Sequence, residues 1–325
     1  MKISHCLRGL AVVAAHAVLA PCAPAMAQGF PTKPVKLVVP YTPGGAADIL
    51  GRVVADGLGR RLGQPVIVEN KPGAGGAIAA KYVADAPADG YTLLLGGTTP
   101  LVLYPLLYER QAYDARKDFT GVGMLAYSPL VLVVNAQSPA RSVGDFVKAS
   151  RAGSLAYGSA GNGTAMNIAG ELFKSQVGAD LMHVPYKGSP PALNALLAGD
   201  IASVFDLVAS AKPFIDGGRL RPLAVLSGRR SGALPDVPTL RELGYKDFDF
   251  SVRYALIAPS ATPPGVIGRL NTELNAVLRD PAVARQLATL ALDVMPGPPE
   301  AVMDFARTEI ERLAPVIRNG GIRLD

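Results

Sequence analysis

An α/β fold is predicted by a unit of sequence that recurs along the chain: a short apolar run, a glycine-rich turn, then apolar residues at helical spacing. The unit is clearest at Val35–Leu62, returns at Pro65–Ala84 and appears again at Leu155–Val177. No low-complexity linker and no solenoid period interrupts the 325 residues. The chain can therefore form one large domain, or two lobes that share crossing segments.

In the first unit Val35, Leu37, Val38 and Val39 favour a strand, which Pro40 and Pro43 end. Gly44 and Gly45 then give the turn, and Ile49, Leu50, Val53, Val54, Leu58 and Leu62 recur at helical spacing. A helix starting there carries free N–H groups at the carboxyl end of the strand, where an anion can bind. The spacing matches neither Gly-x-Gly-x-x-Gly nor a P-loop, so nucleotide binding gains no support. Pro65–Glu69 reads as a second strand, Asn70–Gly76 as its turn and Ala77–Ala84 as its helix. Tyr91–Leu95 is a third strand ending in Gly96-Gly97-Thr98-Thr99. Glycines and hydroxyls at such a terminus make either a binding edge or a capped turn.

A short helix is expected over Leu101–Tyr108, β structure over Gly121–Val134 around Ser128-Pro129, and a helix over Ser142–Ser150. The strand at Leu155–Tyr157 runs into Gly158–Thr164 and a helix from Ala165 to Val177. Ser159, Asn162 and Thr164 thus fall near a second positive helix end. Farther on, a helix passes through Leu193–Leu197, a strand at Ile201–Phe205 leads into Asp206, and a helix begins near Ala209. Strands follow at Leu223–Leu226 and Asp249–Ile257. Pro263–Leu278, Pro281–Leu290 and Pro299–Ile317 have helical patterns opened by prolines. If the chain forms two lobes, its pattern permits crossings between them near Ser128–Val134 and near Phe250–Ile257.

Lys2 and Arg8 precede the apolar run Leu10–Ala20, and Ala25-Met26-Ala27 offers the small residues read by a signal peptidase. Residues 1–27 are therefore expected to be a signal peptide. Both cysteines, Cys6 and Cys22, lie within it, which leaves the mature chain neither a disulfide framework nor a thiolate nucleophile. Losing Lys2 and Arg8 lowers the formal charge from +6 to +4, a balance that suits a soluble surface or an anionic small molecule. The dispersed basic residues form no stripe, so no nucleic acid is expected as a partner. Of the three histidines two, His5 and His16, lie in the leader, and with His183 alone and no cysteines left a zinc site cannot be assembled. Ser159 lacks the Gly-x-Ser-x-Gly setting of a nucleophile elbow. No nucleophile, base and orienting group come together by spacing, so no enzyme activity is expected.

Taken together, the phrases VVPYTPGGAAD (38–48), VIVENKPGAGG (66–76), DGYTLLLG (89–96), YGSAGNGT (157–164), ELFKSQVGADLMHVPYKGSPPAL (171–193), SGRRSGALPDVPTLRELG (227–244) and IAPSATPPGVI (257–267) resemble one family. They are similar, in order and spacing over residues 28–325, to the periplasmic solute-binding proteins of tripartite tricarboxylate transporters, the Bug-type receptors. The resemblance implies a Venus flytrap of the type II periplasmic-binding-protein kind, two α/β lobes with a central ligand cleft. Lobe one would take 28–129 plus 254–325, and lobe two 130–253. It implies a monomeric periplasmic receptor, without cofactor or metal, that hands a small organic carboxylate to two integral membrane subunits. A receptor of the same build that signals to a membrane sensor is the alternative.

By that resemblance the proximal carboxylate site maps onto Tyr41, Thr42, Gly44 and Gly45 in lobe one and Ser159, Asn162, Gly163 and Thr164 in lobe two. Asp48 would satisfy N–H groups of the first helical turn rather than touch an anion. Thr98, Thr99, Asn167 and Asp206 complete the expected ligand-binding set, with Arg253. Asn167 stands where the family commonly has histidine or a similar residue, and Arg253 where it commonly has Trp. In the crossing segment Phe250–Leu256, Arg253 is expected either to meet a second ligand carboxylate in the cleft or to point outward.

Overall fold

The computed structural model describes residues 29–153, 155–245, 248–319 and 322–323; the expected leader, 1–27, lies outside them. In chain order the elements are β1 (Val35–Val39), α1 (Ala46–Leu62), β2 (Val66–Asn70), α2 (Ala77–Ala84), β3 (Thr92–Gly97), a π-helical turn (Thr98–Leu103) and α3 (Tyr104–Leu107). β4 (Phe119–Asn135), α4 (Val143–Ala152), β5 (Leu155–Ser159), α5 (Ala165–Val177), β6 (Leu181–Pro185), α6 (Ser189–Ala198), β7 (Ser203–Leu207) and α7 (Val208–Asp216) follow. The chain closes with β8 (Leu220–Val225), β9 (Ser251–Pro259), α8 (Pro264–Leu278), α9 (Pro281–Ala288), β10 (Asp293–Val294) and α10 (Glu300–Asn319). No described helix is long and apolar enough to cross a membrane.

The strands lie in the order β2-β1-β3-β9-β4-β7-β5-β6, with β8 and β10 paired to β4. This order contains one pattern twice. β2, β1 and β3 are parallel with β9 antiparallel to β3, and β6, β5 and β7 are parallel with β4 antiparallel to β7. In each half the central strand, β1 or β5, is followed by a helix whose start lies beyond the strand's carboxyl end. Such a position, where connections diverge to either side, is where open α/β sheets bind ligands.

β4 joins the halves. Its residues Phe119–Pro129 pair with β9, and Leu130–Asn135 pair with β7 and β8. The change of partner falls at Pro129, where a missing N–H costs little because one ladder ends and the next begins. The β structure expected around Ser128-Pro129 is thus one continuous strand.

The helices form where apolar spacing demands. Leu50, Val54 and Leu58 of α1 are wholly buried, each contributing roughly 1.5–3 kcal/mol by leaving water. In the second half Phe173 of α5 packs against Phe146 of α4 and Phe205 of β7, with ring centroids 6.3 and 5.3 Å apart. The helix expected at Leu101–Tyr108 begins earlier, as the π-helical turn from Thr98. The cause is the close approach of β3 to β9: a methyl group on Gly97, whose φ is +123°, would lie 2.0 Å from the Arg253 carbonyl oxygen. Thr98 Oγ1 accepts the Arg253 N–H at 2.9 Å there, so the chain leaves the strand already turning.

Candidate functional site

Two helix starts set the polarity of the site. At α1, the carboxylate of Asp48 accepts the Gly44 N–H, Arg52 Nε and Asn70 Nδ2, each at 3.0 Å. Burial pushes the Asp48 carboxyl up, but these donors together hold it below its ordinary range. Asp48 is thereby spent on the loop, but on the Gly44 N–H and two side chains rather than on the first-turn N–H groups expected for it. Among the described residues the N–H groups of Ala46 and Ala47 find no acceptor, since helical pairing starts with Ile49 N–H to the Gly45 carbonyl. At α5, pairing likewise starts with Ile168 N–H to Thr164 O, and Ala165 and Met166 keep free N–H groups.

These four residues line one cavity of about 550 Å³ between the halves. Tyr41, Thr42, Gly45 and Thr99 line it from the first half, and Asn162 and Thr164 from the second. The rims meet. A methyl group on Gly75 would lie 3.6 Å from the Asn162 carbonyl oxygen, and one on Gly188 would lie 3.5 Å from Thr42 Oγ1. The wall is largely apolar, and among its described residues Lys187 is the charged side chain. Tyr41 donates to Thr99 Oγ1 at 3.2 Å, and burial raises its phenol above the ordinary value. The arrangement offers an anion oriented N–H groups and helix dipoles rather than a buried cationic partner.

Behind the second loop runs a hydrogen-bonded chain. Lys174 holds Glu171, which accepts the Tyr157 hydroxyl at 2.6 Å. Tyr157 OH accepts Asn167 Nδ2 at 3.1 Å, and Asn167 Oδ1 accepts the Gly163 N–H at 3.1 Å. That orientation aims Nδ2 at His183 Nδ1, 3.3 Å away, so Nδ1 is the acceptor and Nε2 carries the proton. His183 Nε2 then donates to Ser159 Oγ at 2.7 Å, and Ser159 Oγ also accepts the Gly161 N–H at 3.1 Å. Burial holds the imidazole below its ordinary range. A histidine that donates to the serine cannot act as its base. Ser159 is wholly buried, and the pair positions a loop.

The expected site residues therefore divide. Gly44, Gly163, Ser159 and Asn167 shape the loops without lining the cavity, and Thr98 is tied to the Arg253 backbone. Thr164 caps α5: its Oγ1 donates to the Gly161 carbonyl at 2.7 Å and accepts the Asn167 N–H at 3.4 Å. Arg253 departs from its cleft-facing alternative. Val252 and Tyr254 on either side line the cavity, so strand alternation turns Arg253 to the opposite face. Its guanidinium stacks over Phe305 of α10, 4.9 Å from the ring centroid. Asp206 sits one layer behind the wall, donated to by Ser189 at 2.6 Å and by the Leu207 N–H at 2.8 Å. Tyr108, Tyr186, Lys187, Ser189 and Tyr254 line the cavity but were not expected from sequence. For Lys187 and Ser189 a signal existed: Lys187 lies in the turn after β6 and Ser189 opens the helix that follows it, the counterpart of the turn and helix after β2.

The family model described as the tripartite tricarboxylate transporter family receptor matches residues 50–322. The chain belongs to this family. It is 36% identical to Protein BugT of Bordetella pertussis over the whole of both chains. Among solved structures it is similar to a Rhodopseudomonas palustris protein solved with adipate, at 34% identity and TM-score 0.87, covering 90% of this chain and 99% of that one. It is also similar to the periplasmic binding protein BugD, at 30% identity and TM-score 0.85 with the same coverage. MatC from Rhodopseudomonas palustris, solved with bound malate, shares 31% identity at TM-score 0.84 and covers 89% of this chain and all of that one. The fold is the two-lobed periplasmic-binding-protein fold, and the protein is a periplasmic receptor rather than an enzyme. Among the described residues no cluster of His, Cys, Asp and Glu could hold a metal ion.

Proposed function

We propose that the chain is a receptor for a small organic carboxylate, which it encloses between its lobes and delivers to the integral membrane subunits of a tripartite tricarboxylate transporter. The observation that carries this reading is the convergence of the free N–H groups of Ala46, Ala47, Ala165 and Met166 on one cavity. Helix starts favour anions, and bridging waters complete such contacts at little cost. Relatives solved with adipate and malate, both small carboxylates, support the ligand class.

In this reading residues 28–129 plus 254–325 form one lobe and 130–253 the other, and residues 1–27 direct export. The lobes close about the crossing strands β4 and β9, and the monomer is the working unit. The approach of Gly75 to Asn162 and of Gly188 to Thr42 supports closure along these rims.

Thermal-shift measurements with mono-, di- and tricarboxylates test the ligand class, because a ligand that binds the native state raises its melting temperature. At least one carboxylate should stabilise the protein. The absence of any shift across the panel would overturn the reading. Small-angle scattering with the best ligand should show a smaller radius of gyration, and an unchanged radius would refute closure alone.

A further inference from the structure

Asp206 is a buried carboxylate that the two helix starts do not use. It is 1% exposed, and while Oδ1 accepts both the Ser189 hydroxyl and the Leu207 N–H, Oδ2 has no partner among the described residues. An ionised carboxylate with one oxygen unpaired is costly in such a place. Burial accordingly pushes Asp206 up to about 7, against the pull of Ser189 and Leu207. Around it stand Ser189 of α6, Val131 of β4 in paired register, and Tyr254 of β9, near enough to feel its charge. Tyr254 is held neutral by its own burial. Lys187 is on the cavity wall but makes no ion pair with Asp206 among the described residues.

Ser189 and Leu207, the two groups that hold Asp206, both line the cavity. The Ser189 hydroxyl has a single hydrogen. With Asp206 ionised that hydrogen is committed to Oδ1 across 2.6 Å, and Ser189 presents only lone pairs to the cavity. With a proton on Oδ1, Asp206 donates to Ser189 Oγ instead, and the serine hydrogen is free to face a ligand. A carboxylate accepts hydrogen bonds and donates none, so it suits the second state.

We propose that Asp206 and Ser189 form a proton-linked specificity element in which protonation of Asp206 turns Ser189 from an acceptor into a donor, so that binding of a carboxylate takes up one proton. The inference rests on the carboxylate-receptor reading. The step balances as a proton uptake: solvent or buffer releases a proton, an O–H bond forms at Asp206 Oδ1, and the serine O–H stays intact while its hydrogen bond is redirected from Oδ1 to an oxygen of the ligand. The sign follows from linkage. Below pH 7 Asp206 already holds its proton and affinity is level, whereas above it each binding event must first protonate Asp206. Affinity should fall about 25-fold between pH 6.5 and 8.5. His183 is held below its ordinary range and titrates outside this window.

The test is titration calorimetry of the full mature chain with succinate, adipate and hexanoate at pH 6.5, 7.5 and 8.5, in buffers of different protonation enthalpy. The expected result is close to one proton taken up per ligand at pH 8.5, with the stated loss of affinity. Ser189→Ala and Asp206→Asn should both bind weakly and without pH dependence. The asparagine oxygen keeps the Leu207 N–H and the Ser189 hydroxyl, as the ionised carboxylate does. No proton uptake by the wild type would overturn the proposal, as would pH dependence that survives in both variants. Tight, level binding by Asp206→Asn would replace the hydroxyl switch by plain charge repulsion. If Asp206→Asn does not melt cooperatively, Ser189→Ala and the wild-type profile decide. If none of the probes binds at any pH, the receptor reading fails and this inference falls with it.

Discussion

Asp48 and Asn167 occupy the same third position of their helices, and each accepts the backbone N–H of the glycine four residues earlier, Gly44 at 3.0 Å and Gly163 at 3.1 Å. One structural solution thus serves both loops, with a carboxylate in the first and an amide in the second. The difference makes the first loop sensitive to acid. Asp48 is held below its ordinary range, so its contribution is present above the unfolded carboxylate pKa and is lost as pH falls through the folded one. Asp48→Asn should lower stability by about 1–3 kcal/mol at pH 7. The gap to the wild type should close towards pH 3, read by urea unfolding at each pH.

Thr164→Ala separates capping from binding. The Thr164 hydrogen is committed to the Gly161 carbonyl, and the oxygen that remains cannot donate to a carboxylate. Loss of the cap should cost about 1 kcal/mol of stability. Affinity for the best carboxylate should change by less than about threefold, because no direct bond is removed. A tenfold loss of affinity in calorimetry would return Thr164 to the ligand's own contacts.

Much of this was legible in the sequence because its cause is local. The strand, turn and helix grammar at Val35–Leu62 and Leu155–Val177 depends on spacing, and α5 begins and ends at the residues expected, Ala165 and Val177. The facing of a strand residue is not local. Arg253 and Tyr254 differ by one position, and which of them meets the cavity depends on the pairing of β9 with β3 and β4. The same holds for Asn167, whose amide is claimed by Tyr157 and His183 from other elements. Spacing within α5 cannot reveal those partners.

Arg253→Ala tests the face assigned to it. The guanidinium over Phe305 should contribute about 0.5–1 kcal/mol of cation–π stabilisation at a half-exposed site. Melting should fall slightly, while affinities for adipate and hexanoate should both stay unchanged. A selective loss of adipate binding would mean that Arg253 turns into the cleft in solution.

His183 gives the fold a second pH response, in the opposite direction from Asp206. Its Nδ1 accepts from Asn167 and its Nε2 donates to Ser159, so a proton added at Nδ1 would set two donors against each other. Burial, the largest influence, already holds the imidazole below its ordinary range. The unfolded chain therefore binds this proton first. Stability is fully present above the unfolded histidine pKa and declines as pH falls from there through the depressed folded value. His183→Gln breaks the relay to Ser159 and should cost about 1–2 kcal/mol at pH 7.5. It should also remove that part of the decline below pH 6.5 that the wild type shows in urea unfolding. An undiminished decline in the variant would assign the acid response to the carboxylates and the imidazole proton to the other nitrogen.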